Sequence, residues 1–362
     1  MENVGERGTG GDVGVGVIGA GYWGPNLIRN IVEAPGGRLV AVADLDAARL
    51  APIAKRYPGV MTTQDHTALL ADRSIDAVCI ATPISTHRRL AEEAFAAGKH
   101  VLVEKPLAGT VEDCEAILRA SELAARVLLV GHTFVYNPAV ESVRGLLRRR
   151  VLGDVRYIDS QRVNLGVHQF DFNVLWDLGP HDVSIVLYWL DEEPEWVQCV
   201  GASYVQPDLE DVVFLTMGFP SGTLAHAHLS WLAPSKLRRT AIVGSLRMAV
   251  YDDTLPTERV KIYDRGVDEL SVEDLRRSYR AGDIHSPRVP DVEALQLEVR
   301  HFLGCVRGEV VPLSDGEAGL RVVRVLEAAM RSLRTGGTRV TYRMDQATSE
   351  VVFRRHAPLV TA

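Results

Sequence analysis

Residues 16–24 read "GVIGAGYWG" and place Gly19, Gly21 and Gly24 in the pattern G-x-G-x-x-G. The pattern follows the apolar run "VGVGVIG" (13–19), a strand, and opens a helix expected from Pro25 to Ala34. Glycines in such a turn allow the tight bend and let the backbone approach a pyrophosphate at the helix N-terminus. Alone, the pattern also suits an ordinary strand–turn–helix. Asp44 narrows the choice, because it lies twenty residues past Gly24 at the end of a second strand, "RLVAVAD" (38–44). An acid there accepts hydrogen bonds from the adenosine ribose hydroxyls and repels a 2′-phosphate, so NAD is expected over NADP. Asp46 is the better helix cap, which leaves Asp44 for this role. Arg49 pulls the other way, since a guanidinium can receive a phosphate. Tyr22 and Trp23 sit inside the turn and are expected beside the cofactor.

Outward from this turn, short β-branched runs alternate with helical stretches. A helix over about 46–57 precedes the strand "AVCIAT" (77–82), the amphipathic helix "THRRLAEEAFAAG" and the strand "KHVLVEK" (99–105). A helix at 111–124 and "VLLVGHT" (127–133) complete the series. Apolar runs of this length between helices predict a doubly wound parallel sheet covered on both faces. After Pro138 the pattern changes to consecutive strands at 155–164, 195–204, 211–219, 222–230, 238–244 and 247–251, with helices at 180–190, 292–307 and 315–334. That predicts an open, mainly antiparallel sheet in a second α/β domain. The expected division is a leader at 1–12, a dinucleotide-binding domain at 13–136, a substrate and oligomerisation domain at 137–345 and a tail at 346–362. The helices within 292–334 are candidates to pack back on the first domain.

Composition excludes several classes. The 362 residues carry a net charge of −7 with 46% hydrophobic and 24% charged residues, which argues against a nucleic-acid surface or a basic membrane patch. The one tight basic run, Arg148-Arg149-Arg150, reads as a solvated helix end. Cys79, Cys114, Cys199 and Cys305 lie far apart without a Cys/His cluster, so neither a disulfide framework nor a metal site is expected and a cytoplasmic location is. No apolar run approaches the ~20 residues of a membrane span.

Ligands of a doubly wound sheet bind beyond the carboxyl ends of its strands. Glu104 and Lys105 end a strand on that edge, where an ammonium can hydrogen-bond a substrate oxygen and stabilise alkoxide charge. A surface ion pair explains the same spacing equally well. In "WDLGPHDVSIVLYWL" (176–190), Pro180 suits a first helical position and His181 follows it. There the helix dipole would keep the imidazole neutral and ready to accept a proton, with Asp177 orienting it. A core or capping histidine is the plainer alternative.

Taken together, "GVIGAGYWG", "AVADLDAAR", "DAVCIATPISTH", "AAGKHVLVEKPLA", "VGHTFVYNPAV" and "WDLGPHDVSI" closely resemble the glucose–fructose oxidoreductase/inositol dehydrogenase family, Gfo/Idh/MocA, from residue 13 to about 340. The resemblance implies that Lys105 touches substrate near the nicotinamide, that Asp177 is a substrate-binding acid and that His181 is the catalytic histidine. It also implies that Thr82, Pro83, His87, Glu104 and Pro106 line the cofactor, and that the open sheet forms homodimers or homotetramers. Within the family, "RVNLG", "NVLWDLGPHDVSI" and "HLSWLAPSKLRRTAIVGS" are similar to nucleotide-sugar 3-dehydrogenases and 3-ketoreductases. Arg162, Asn164, Lys236 and Arg238 are then candidate substrate contacts, and the cations among them suit a diphosphate. The leading expectation is NAD-dependent oxidation of a ring hydroxyl of a nucleotide sugar, supplying amino- or deoxy-sugar synthesis. Reduction of a keto sugar, or oxidation of a cyclitol or aminoglycoside, is the second. A non-catalytic dinucleotide sensor is the third.

Overall fold

The computed structural model describes residues 11–166, 168, 172–268 and 278–342. Most of the expected leader, the expected tail and part of the segment before residue 172 therefore lie outside the described residues. Two compact units result: one holds the described residues up to Thr133 and Glu293–Leu320, the other Phe134–Val292 and the described residues from Arg321 on.

The first unit is built on six parallel strands: β1 (Val13–Ile18), β2 (Gly37–Ala43), β3 (Met61–Thr63), β4 (Ala77–Ile80), β5 (His100–Glu104) and β6 (Leu128–Gly131). Their order is β3-β2-β1-β4-β5-β6. Every residue of β1 and β4 is buried, as a sheet covered on both faces requires. The order reverses between β1 and β4, which opens a ligand crevice at the strand ends there. Five helices connect the strands: α1 (Gly24–Glu33), α2 (Ala47–Arg56), α3 (His66–Ala71), α4 (His87–Ala96) and α5 (Val111–Ala124). A helix from far along the chain, α8 (Ala294–Val306), joins this unit. Its Leu295, Val299, Phe302 and Leu303 share one core with Leu27, Ile28 and Ile31 of α1, and Glu293 pairs with Arg29 at 2.7 Å.

The second unit carries a nine-stranded sheet. Its strands are β7 (Val155–Val163), β8 (Trp196–Ala202), β9 (Val212–Gly218), β10 (Leu224–Ser230), β11 (Leu237–Gly244), β12 (Met248–Asp252), β13 (Val260–Asp268), β14 (Ser278–His285) and β15 (Val340–Thr341). They run in the order β14-β13-β12-β11-β7-β10-β9-β8-β15, antiparallel except between β7 and β10. One face packs on α6 (Pro138–Arg148), α7 (Val174–Leu190) and α9 (Gly316–Arg334), whose residues from Arg321 on belong to this unit. Along β9, Val213, Leu215 and Met217 point into that core.

Several elements differ from the sequence reading. The helix expected at 180–190 begins six residues earlier, because the Asn173 side chain caps it by accepting the Trp176 N–H at 3.3 Å. Pro180 is thus inside α7, and His181 lies two turns from the dipole end rather than in the first turn. The strands β3, β13, β14 and β15 and the helix α3 were not anticipated, and α6 was read only at its cationic end, Arg148. No helix among the described residues is long and apolar enough to cross a membrane.

Candidate active site

In the first unit the glycine turn is held by steric necessity. Gly19 has φ +102°, and a Cβ there would lie 2.3 Å from the Ala81 carbonyl oxygen. A Cβ on Gly24 would meet the Gly19 carbonyl oxygen at 2.1 Å. A Cβ on Gly21 would meet only Arg49 Nη1, at 3.5 Å, so protein does not fill that space. Beyond it, α1 starts at Trp23 with no side-chain cap and no acid in its first turn. The uncapped dipole end and the space beside Gly21 leave a place for an anion, which fits a dinucleotide pyrophosphate. Asp44 binds the turn from below: Oδ2 accepts the Ala20 N–H at 2.7 Å and Oδ1 the Asp46 N–H at 2.8 Å. Asp46 itself caps α2 by accepting the Ala48 N–H at 2.9 Å. Arg49 lies 3.8 Å from Asp44 and 3.5 Å from Asp46, so its charge faces two carboxylates. Tyr22 is 94% exposed and Trp23 is half-buried.

The neighbouring loops converge on the end of β5. Thr82 Oγ1 meets Thr86 Oγ1 at 2.7 Å, and Pro83 is exposed. His87 is buried beneath these loops, with Nε2 2.9 Å from Thr82 O and Nδ1 3.1 Å from Pro106 O. It ties the loop after β4 to the loop after β5. Burial pulls its pKa below the ordinary imidazole range, against the opposing pull of these carbonyls. Glu104 is buried and Lys105 half-buried. Glu104 Oε2 accepts the Lys105 N–H at 3.3 Å, while Oε1 has no hydrogen-bond partner among the described residues. Burial raises the Glu104 pKa to about 8, although the Lys105 ammonium opposes the rise.

Two further titratable groups share these surroundings. Glu298 of α8 is fully buried; its Oε2 accepts the Thr133 hydroxyl at 2.8 Å. Its pKa is raised well above the usual range by burial first and then by the Glu104 charge. His132 is held down to about 3 by burial, with the Lys105 ammonium adding to the effect. Sequence reasoning quoted His132 within "GHTFVYNPAV" without singling it out, and missed Glu298. The available signal for Glu298 was an acid flanked by the apolar Leu297 and Val299 in "LQLEVRHF".

In the second unit α7 presents Asp177 and His181 four residues apart, on one helix face. Trp231, buried just past β10, donates its indole N–H to Asp177 Oδ2 at 3.0 Å. The His181 ring meets Phe134 edge-on, with centroids 4.9 Å apart at 70°. Arg162 is not a free cation. It is buried, its Nε bonds Asp182 Oδ2, and its guanidinium carbon sits 4.4 Å from the centre of the Phe134 ring. Arg238 pairs with Asp253 at 3.3 Å, Lys236 is exposed, and Asn164 is half-buried beside β10, where its N–H bonds Ser230 O at 3.1 Å. Lys105 thus belongs to the first unit and Asp177, His181, Arg162, Asn164, Lys236 and Arg238 to the second. Among the described residues no group of three or more His, Cys, Asp or Glu side chains is arranged to hold a metal ion.

Residues 13–132 match the model of an oxidoreductase family with an NAD-binding Rossmann fold, and residues 140–250 match that of a Gfo/Idh/MocA C-terminal domain. The chain is 31% identical to the UDP-N-acetylglucosamine 3-dehydrogenase of Acidithiobacillus ferrooxidans over 324 residues, covering 85% of this chain and 93% of that one. It is 29% identical to inositol 2-dehydrogenase 2 of Paenarthrobacter aurescens over 335 residues, covering 90% and 97%. A solved structure of the Acidithiobacillus enzyme superposes with a TM-score of 0.77 at 28% identity, covering 90% of this chain and 99% of that one.

Proposed function

The chain belongs to the Gfo/Idh/MocA oxidoreductase family, and from that premise we propose that it is an NAD-dependent dehydrogenase of a ring secondary hydroxyl, foremost the 3-hydroxyl of a nucleotide sugar. Action on a CH–OH group follows from the family. The observation that carries the catalytic reading is the pairing of Asp177 and His181 on one face of α7, with the carboxylate anchored by Trp231. His181 takes the hydroxyl proton. Lys105 donates a hydrogen bond to the same oxygen and stabilises its developing charge. Asp177 holds the substrate or the imidazole. Bound NAD supplies the hydride acceptor. Asp44 favours NAD because its carboxylate, anchored at the glycine turn, repels a 2′-phosphate. The same groups serve keto-sugar reduction in reverse.

Oxidation of a cyclitol is supported by a specific observation. The pairing of Arg162 with Asp182 removes one of the cations suited to a diphosphate, and an inositol dehydrogenase is nearly as similar as the nucleotide-sugar enzyme.

Both readings are tested by following reduced-cofactor absorbance with UDP-N-acetylglucosamine, myo-inositol and an aminoglycoside, each with NAD and NADP. On the substrate that turns over, Lys105→Ala is expected to lose ~10²-fold or more in rate while still binding NAD. His181→Ala is expected to lose ~10²–10⁴-fold. Near-normal turnover in Lys105→Ala would return that lysine to a surface ion pair, whose loss costs at most about 1 kcal/mol of stability.

A further inference from the structure

The ion pair between Arg162 and Asp182 has no part in the chemistry above, yet both side chains are almost completely buried, at 5% and 4% exposure. Burying two charges is costly, and apolar side chains of the same volume usually stabilise a fold as well or better. The pair therefore calls for a use beyond stability. Its position supplies one, since Asp182 is the residue that follows His181 in α7.

From Asp182 a closed path leads back to the imidazole. Asp182 Oδ2 holds the Arg162 Nε–H, and Oδ1 takes the Ser160 hydroxyl at 2.5 Å. Ser160 has spent its one proton there, so the Thr240 hydroxyl, 3.0 Å away, donates to Ser160. Arg162 is thereby locked from β7, with its guanidinium 4.4 Å from the centre of the Phe134 ring. Cation over face and ring edge against ring are the favoured arrangements for such groups. The Phe134 ring in turn meets the His181 ring edge-on at 4.9 Å. Arg162 Nη1 is buried without a hydrogen-bond partner among the described residues, so the guanidinium is held by Asp182 at Nε and by the ring face of Phe134.

We propose that Phe134, backed by the Arg162–Asp182 ion pair, fixes the imidazole of His181, so that Arg162 and Phe134 are positioning residues for the base and not substrate contacts. The inference deepens the proposed function and rests on His181 acting as the base. Two variants separate the parts. Phe134→Leu removes the ring and leaves the ion pair in place. The double variant Arg162→Met, Asp182→Asn removes both charges together, so that neither is left buried alone.

In protein labelled with ¹³C in its histidine rings, the His181 resonance is identified by its loss in His181→Asn, and Phe134 shifts it through its ring current. That resonance is expected to move in both variants. On UDP-N-acetylglucosamine or myo-inositol, whichever turns over, kcat is expected to fall about 10-fold or more, with KM and the NAD dissociation constant changed less than about twofold, as for a catalytic group displaced by a fraction of an ångström. An unmoved resonance in Phe134→Leu, or kcat within about twofold of the parent in both variants, would overturn the proposal. Full turnover in His181→Asn would overturn the base assignment instead, and the resonance would still report whether Phe134 holds the ring.

Discussion

Glu104, Glu298 and His132 each titrate in the first unit well away from the range they have in water. In an unfolded chain a glutamate titrates near ~4.3 and a histidine near ~6.5. Burial raises Glu104 to about 8 and Glu298 well above its usual range. Each carboxyl therefore contributes stability that is complete below its unfolded pKa and is lost as pH rises through its folded pKa. His132, held down to about 3, behaves in the opposite way: its contribution is complete above the unfolded value and is lost as pH falls towards 3. Above pH ~6.5 only the carboxyl effect remains, with a slope of up to ~1.4 kcal/mol per pH unit for each group. The thermal midpoint is thus expected to fall between pH 6.5 and 8.5 by several degrees. Glu298→Gln, which keeps the shape and the contact with Thr133 but cannot ionise, is expected to flatten that fall. Parallel midpoint curves for parent and variant across this range would show that Glu298 is not a buried acid.

At the scale of elements, the start of α7 is capped by a side chain that also ties it to the neighbouring chain. The Asn173 side chain accepts the Trp176 N–H at 3.3 Å and donates to Glu210 Oε2 at 2.6 Å. It sets where α7 begins, so that Asp177 as well as His181 lies within the helix, four residues apart on one face. Asn173→Ala is expected to cost about 1–2 kcal/mol, read as a lower denaturant midpoint at unchanged slope. A midpoint equal to the parent's would mean that Glu210 and the neighbouring chain hold the helix start unaided. The helix itself was half legible in the sequence. Gly179-Pro180 carries the signal of a start, and only the tertiary setting shows that the helix runs through it: a Cβ on Gly179 would meet Leu326, Leu175 and Leu229 at 3.1–3.4 Å. The strands β1 to β6, except the three-residue β3, were readable because burial on both faces leaves nearly unbroken apolar runs. β13 and β14, "VKIYDRGVD" and "SYRAGDIH", were hidden by charge and glycine. The glycine turn with Asp44 was legible because its spacing is its geometry. The buried acid near Glu104 and the support of His181 were not, because Glu298 and Thr133 are 165 positions apart and no local pattern announces the pairing of Arg162 with Asp182.

At the scale of the whole molecule, the nine-stranded sheet covers one face with helices and leaves apolar side chains on the other. One cross-strand row runs Val200, Phe214, His228, Gln161, and another runs Leu224, Tyr157, Val243. Phe214 is 40% exposed and Tyr157 47%. Phe214 stacks on His226 and His228 at 6.2 and 4.5 Å, which makes a flat, partly aromatic surface in the middle of the sheet. Contiguous apolar patches on a sheet face are a liability in isolation and are usually covered by a partner. A second copy of the chain, face against face, would cover both patches at once in a closed, self-complementary contact. We therefore expect a homodimer or homotetramer assembled through this face. Phe214→Glu places a charge at the centre of the row, where an unpaired carboxylate would be desolvated, and should dissociate the assembly without touching Lys105, Asp177 or His181. Light scattering at micromolar concentration is expected to give a multiple of 39.7 kDa for the parent and a smaller mass for the variant. A parent already at 39.7 kDa would refute assembly, and an undisturbed mass for Phe214→Glu would move the contact to another surface.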